Sequence, residues 1–151
     1  MTPSRLTSTT PGDLAELSAL CLRSKGHWGY DAAFLAACRE DLRVTQRDLD
    51  GYLGVTGPIG HRSGVVSVFV EGHTAYLDKL FVDPAHIGMG LGQALIHWAL
   101  DTCKSAGASR VVIDSDPFAE AFYRRYGAVK IGETPSTVFP DRRLPLMQIA
   151  F

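Results

Sequence analysis

Cysteine is scarce in this chain, long apolar runs are missing, and net charge is close to zero. Cys21, Cys38 and Cys103 are an odd number at wide spacings, with no CxxC pair and no Cys/His cluster at zinc spacing. No metal site is expected. Each cysteine reads as a small buried hydrophobe on a helix, with a nucleophilic role the lesser alternative. No apolar run approaches the ~20 residues that cross a bilayer. Met1 to Thr10 is polar and lacks the apolar stretch of a signal peptide, so a cytoplasmic protein is expected. A formal net charge of -1 gives no general pull toward nucleic acid or an anionic membrane, and neither is expected as a partner. Internal repeats and low-complexity segments are also absent.

What is present is enough for one domain. The 151 residues are 46% hydrophobic and 21% charged, the balance of a soluble globular protein, and a single domain over 1–151 is expected. The order of elements predicts a mixed-sheet α/β fold. A weak strand at Arg5 to Ser8 precedes a helix from Pro11-Gly12-Asp13 to about Ser24. After the loop Lys25 to Tyr30, Asp31 suits the N-cap of a second helix through about Arg43. Gly51–Thr56, Val65–Val70 and Thr74–Val82 read as strands, the last two a hairpin about Gly72-His73. A helix through about Ser105 follows, with Leu91, Leu95, Trp98 and Thr102 as its buried stripe. Val111-Val112-Ile113 is wholly apolar, as a central parallel strand should be. A short helix Ala119–Tyr126 and strands Ala128–Ile131 and Leu146–Phe151 complete the chain.

Three glycines alternate in Gly88-Met89-Gly90-Leu91-Gly92 between a strand and a helix. Such a loop can turn several N–H groups into one concavity, and the helix N-terminus adds partial positive charge. By itself it suits either an anion site or a turn that lets helix and sheet pack closely. A P-loop is excluded, because no Gly-Lys-Ser/Thr follows. A dinucleotide site, with Asp114 on the next strand, is the rival. The GxGxG spacing, the intervening Asp83 to Ile87, and the loop's place after a hairpin all count against it.

Leu77-Asp78-Lys79-Leu80-Phe81-Val82-Asp83-Pro84, followed by that glycine loop, resembles the acetyl-CoA-binding signature of the GNAT N-acetyltransferase superfamily. Ala119-Glu120-Ala121-Phe122-Tyr123-Arg124-Arg125-Tyr126-Gly127-Ala128 resembles the same family's second signature. The two stand in family order. The resemblance covers the C-terminal half strongly and the N-terminal half only in the order of its elements. It implies a mixed, mostly antiparallel sheet flanked by helices, and acetyl-CoA as cosubstrate. It further implies that the backbone of Leu80, Phe81 and Val82 pairs with the pantetheine arm, in a break between this strand and the one at Val111. Gly88, Gly90, Gly92 and their neighbours Ile87, Met89 and Leu91 would hold the diphosphate, and Tyr123 would face the sulfur. Two positions depart from the family. Ile87 stands where Arg or Gln is usual, and Phe118 where Asn is common, which leaves Asp116 or Ser115 to supply that cofactor hydrogen bond. Dimers are common in the family, so a homodimer stays open.

Acetyl transfer from a thioester needs a neutral amine and a proton for the leaving thiolate. An alkylammonium has a pKa near ~10, so a base is needed. Tyr123 is the candidate acid. Alternation along the strand predicts that Tyr76, Asp78, Leu80 and Val82 share a face, which makes Asp78 the candidate base. A carboxylate merely paired with a cation is the alternative for Asp78. His27 or a chain of waters are the other candidates for the base. His27, Trp28 and Tyr30 are the candidate acceptor site, their rings offering a wall for an amine or simply anchoring a loop. Arg142 or Arg143 would meet an acidic group on the acceptor, or stand solvated in its loop. The expected reaction is acetylation of a primary amine, of a small molecule or a peptide, by direct attack in a ternary complex. The alternative is a non-catalytic acyl-CoA sensor of the same fold.

Overall fold

The computed structural model describes all residues, Met1–Phe151. Seven strands form one sheet: β1 (Ser4–Leu6), β2 (Tyr52–Thr56), β3 (Gly64–Glu71), β4 (Thr74–Val82), β5 (Arg110–Asp114), β6 (Val129–Pro135) and β7 (Arg143–Ala150). Their spatial order is β1-β2-β3-β4-β5-β7-β6. Only the β4–β5 pair is parallel. The mixed, mostly antiparallel sheet is the one the sequence predicts, although β6 and β7 are longer than expected.

Residues alternate across this sheet, so neighbouring valines of β3 serve opposite layers. Val66 and Val68 pack with Leu95, Ile96, Ile113, Tyr123 and Met147, beneath α4 (Leu91–Ser105) and α5 (Glu120–Arg125). Val65 packs with Leu17, Leu20, Cys21 and Leu53, beneath α1 (Pro11–Gly26). No helix is long and apolar enough to cross a membrane. All three cysteines are buried. Burial pushes the thiols of Cys21 and Cys103 up to about 12 and about 11, which leaves them inert at neutral pH.

The N-terminal half departs from expectation in one place. The second helix, α2 (Ala32–Cys38), is capped by Asp31, which accepts from the Phe34 N–H at 2.8 Å, but it stops five residues early. The chain must turn there to bury Leu42 and Val44 beside Cys38. The Val44 N–H then donates to the Ser18 hydroxyl at 2.9 Å. A further helix, α3 (Gln46–Asp50), begins at once, with Asp48 accepting from the Thr45 N–H at 2.9 Å.

The buried stripe of α4 is rotated from the expected one. Leu91, Leu95, Ile96, Ala99 and Cys103 are buried, whereas Trp98 and Thr102 are half-exposed. The Trp98 ring lies on β2 at Gly54, where a Cβ would come within 2.6 Å of it. Only glycine lets the indole lie flat there.

Two irregularities in β4 set up the site. The first is a bulge: Ser67 pairs with Lys79 and Val68 with Leu77, so Asp78 has no partner on β3. The extra residue reverses the alternation. Tyr76 lies across from Phe69, on the α3 side, while Leu80 and Val82 join the α4-side core. The predicted common face for Tyr76, Leu80 and Val82 is therefore corrected, because strict alternation cannot survive an inserted residue. The second is a fork. β4 pairs with β5 only from Thr74–Arg110 to Leu77–Ile113, yet β4 continues to Val82. Beyond Leu77 its edge toward β5 carries no strand.

Candidate active site

The fork opens toward the glycine loop. Gly88 (φ 89°) and Gly90 (φ 78°) both adopt left-handed backbone, and no non-glycine residue in the chain has positive φ. A Cβ on either would meet nothing within 4 Å, so both face open space. Gly90 is the N-cap of α4, and no side chain caps that helix. The first N–H groups of a helix lack intrahelical partners. Here they remain available to an outside acceptor, which is the arrangement an anion requires. Gly92 has a different duty: a Cβ there would press on the Phe122 ring at 3.3 Å, so it lets α5 pack against α4. Ile87 and Met89 are exposed beside the loop, and Leu91 is buried beneath it. The residues present thus suit a diphosphate held by main-chain groups, with no side-chain cation in the loop to assist.

Tyr123 comes from α5, its ring buried in the core against Phe122 at 5.2 Å. The single fully buried side-chain polar atom without a partner is His86 Nδ1. The Tyr123 hydroxyl, bonded to no protein group, is therefore reachable from outside. Burial, and then the charge of Asp116, push its pKa above the ordinary tyrosine value. It is fully protonated at neutral pH.

Asp78 stands at the bulge, and its Oδ2 accepts from Lys79 Nζ at 2.7 Å. Lys79 is itself buried and also donates to Asp48 Oδ1 at 3.2 Å. The Ser67 hydroxyl donates to the same Asp48 oxygen at 2.7 Å. Burial opposes the charge on Lys79, but its bonds to Asp78 and Asp48 outweigh burial and raise its pKa. This buried lysine and its second carboxylate were not singled out from the sequence. Asp78, Tyr76, Glu71, Asp114 and Arg47 line an open hollow of about 320 Å³ on the α3 side of the sheet.

Tyr30 and Asp116 meet in a charged cluster with Lys25 and Arg142. Lys25 Nζ donates to Asp116 Oδ2, and the Tyr30 hydroxyl donates to both carboxylate oxygens at 3.1 and 3.0 Å. Arg142 donates to the Tyr30 hydroxyl and lies 3.7 Å from Asp116. The end of α1 and the loops α1–α2, β5–α5 and β6–β7 are thereby tied together. Aromatic rings extend the tie. Tyr30 stacks on Phe34 at 4.1 Å and Phe34 on Phe139 at 5.0 Å. Phe118, the second departure from the family pattern, stacks on Trp28 at 5.5 Å. His27 is exposed and packs edge-on to Trp28 at 5.8 Å. Arg142 serves this cluster rather than standing free, and its joining with Lys25 and Asp116 was not foreseen.

Burial alone would raise the pKa of Asp116, but Lys25, the Phe118 N–H and the Tyr30 hydroxyl hold it below the ordinary carboxylate range. A depressed folded-state pKa stabilises the fold above the unfolded carboxylate value, near ~3.9, and that stability is lost as pH falls through the folded value. Asp116→Asn is expected to cost about 1–3 kcal/mol at pH 7. The gap from wild type should close as pH is lowered below ~4 in denaturant titrations.

Comparison with known proteins fixes the class this geometry defines. The model of the GNAT acetyltransferase family matches residues 20–128, and the chain belongs to that family. A protein of Oryza sativa subsp. japonica named probable glucosamine 6-phosphate N-acetyltransferase 2 is 29% identical over 111 residues, 67% of this chain and 66% of that protein. An acetyltransferase of Agrobacterium fabrum is 35% identical over 106 residues, 67% of this chain and 68% of that protein. The match thus spans about two thirds of the length of these relatives. The paiA N-acetyltransferase of Thermoplasma acidophilum, solved in complex with coenzyme A, shares the fold with a TM-score of 0.74 at 14% identity, over 100% of both chains. The chain is thus a member of the GNAT acetyltransferase family, with a fold it shares with that coenzyme A-binding protein.

Proposed function

We propose that this protein transfers the acetyl group of acetyl-CoA to a primary amine, of a small molecule or a peptide, by direct attack in a ternary complex. The observation that carries this reading is the fork. An unpaired β4 edge runs from the bulge at Asp78 to Val82, and the loop after it leads to the uncapped N-terminus of α4. An acyl-CoA needs both parts: main-chain donors for its diphosphate and a strand edge for its pantetheine arm. The amides of residues 87–92 take the first role, and the backbone of Leu80, Phe81 and Val82 takes the second. The thioester then lies at the apex of the fork. A main-chain N–H near Leu80 polarises its carbonyl, worth on the order of 3 kcal/mol.

Tyr123 donates its proton to the departing thiolate, whose conjugate acid is near ~8.5 on the cysteine scale. Holding amine and thioester together supplies much of the remaining acceleration. Trp28 and Tyr30 wall the acceptor side, and His27 stands at its rim. Asp116 takes a positioning role through Lys25, Tyr30 and Arg142, since both of its oxygens are already engaged. The names of the Oryza and Thermoplasma relatives, both N-acetyltransferases, agree with an amine as acceptor.

Thiol release from acetyl-CoA, followed spectrophotometrically with a panel of primary amines, tests the proposal. Release is expected to depend on the amine. Acetyl-CoA binding without release on any amine overturns the enzymatic reading in favour of a sensor.

A further inference from the structure

Resting on that reading, we infer that Asp114 is the catalytic base, the group at the apex of the β4–β5 fork that takes the proton from the incoming ammonium. The last paired rung of the fork is Leu77–Ile113. The next residue on each strand is an aspartate, Asp78 on β4 and Asp114 on β5. Both carboxylates line the same hollow on the α3 side. A thioester delivered along the free β4 edge ends at this rung. An amine attacking the thioester at this rung stands beside the two carboxylates.

The two carboxylates are not equivalent. Asp78 has one oxygen bound to the buried Lys79 at 2.7 Å. That ammonium is fixed in turn by Asp48 at 3.2 Å. Asp78 is therefore an ion-paired part of the scaffold around the bulge. Asp114 ends β5 facing the open hollow and has no cation within ion-pair distance. The charged and titratable groups facing it are Asp78 and Tyr76 from β4, Glu71 from the end of β3, and Arg47 from α3. Arg47 lies over the Phe69 ring at 4.1 Å instead of pairing with a carboxylate. From β7 the residue opposite Asp114 is the apolar Leu146. Burial, and then the negative charge of Asp78, raise the pKa of Asp114. That is the direction a carboxylate needs in order to accept a proton near neutrality.

The protons balance. Asp114 takes one from the ammonium, leaving the neutral amine. The amine nitrogen forms its bond to the carbonyl carbon, and the carbon–sulfur bond breaks with the electron pair leaving on sulfur. Tyr123 protonates the sulfur and regains a proton from the newly acylated nitrogen. Asp114 returns its proton to solvent, so one proton is released per turnover.

The test compares wild type, Asp114→Asn and Asp78→Asn, using acetyl-CoA and the best primary amine of the panel. Asp114→Asn is isosteric and breaks no hydrogen bond, so the fold is retained. In the wild type, kcat/KM is expected to be flat on the alkaline side of neutrality. In Asp114→Asn it is expected to be down by about 100-fold at pH 7 and to rise about tenfold per pH unit toward the amine's own pKa, because only free amine then reacts. Acetyl-CoA affinity by calorimetry should be unchanged. An Asp114→Asn enzyme within about twofold of wild type, with its plateau intact, overturns the inference and leaves the acetyltransferase reading standing. So does a loss of the plateau in Asp78→Asn alone. A wild type that turns over no amine overturns both.

Discussion

Tyr123→Phe is expected to lower kcat by about 100-fold or more, with acetyl-CoA affinity and stability little changed. The substitution removes one oxygen. The ring, buried in the core under α4 and α5, keeps its packing. No hydrogen bond within the protein is broken, so no buried polar group is left without its partner. What is lost is the donor for the departing sulfur. A thiolate expelled without a proton must be taken up by water, and that penalty falls on the transition state alone. The signature is therefore a loss in kcat with KM for acetyl-CoA near its wild-type value. Stopped or steady-state thiol release reads it directly. A variant as fast as wild type would remove Tyr123 from the chemistry and reduce it to a core residue.

Gly90→Val should act at the other end of the cofactor, reducing acetyl-CoA affinity by at least about tenfold, which is 1.4 kcal/mol. The residue sits at φ 78° as the N-cap of α4, and its missing side chain faces open space. Valine pays about 1–3 kcal/mol to stay in that conformation. Either it stays, and its methyl groups occupy the hollow the diphosphate needs, or the loop relaxes and the converging N–H groups diverge. Both outcomes weaken binding. Gly107→Val is the control. Gly107 has φ 93° just past the other end of the same helix, also with nothing near its Cβ. It should lose comparable stability and bind acetyl-CoA normally. Isothermal calorimetry on the two variants separates strain in a helix cap from occupation of a binding loop.

Local chemistry made the C-terminal half of the fold legible. Val111 to Ile113 shows its burial by composition, Gly107 its helix end, and the glycine loop its open backbone. The bulge at Asp78 was invisible because alternation presumes one residue per rung, and only the pairing of Ser67 with Lys79 and Val68 with Leu77 reveals the extra one. The helix α3 did carry a signal: Thr45-Gln46-Arg47-Asp48 has the spacing of a capping box. It was masked by the helical pattern that runs from Asp31 toward Arg43. In the Lys25–Tyr30–Asp116–Arg142 cluster, Tyr30 and Arg142 bond across 112 positions. Nothing local marks such partners, because their meeting depends on how three connections close over the end of α1. Phe118 shows the same limit. Read alone, it removes a hydrogen bond. In the fold, its ring completes an aromatic pair with Trp28.

A crystal structure grown with coenzyme A probes the main premise most directly. Diphosphate oxygens should lie within hydrogen-bonding reach of the main-chain amides of residues 88–92, with the pantetheine laid along β4 past Leu77 and its sulfur near the Tyr123 hydroxyl. A complex in which the ligand binds elsewhere while the fork stays closed to it would contradict the account.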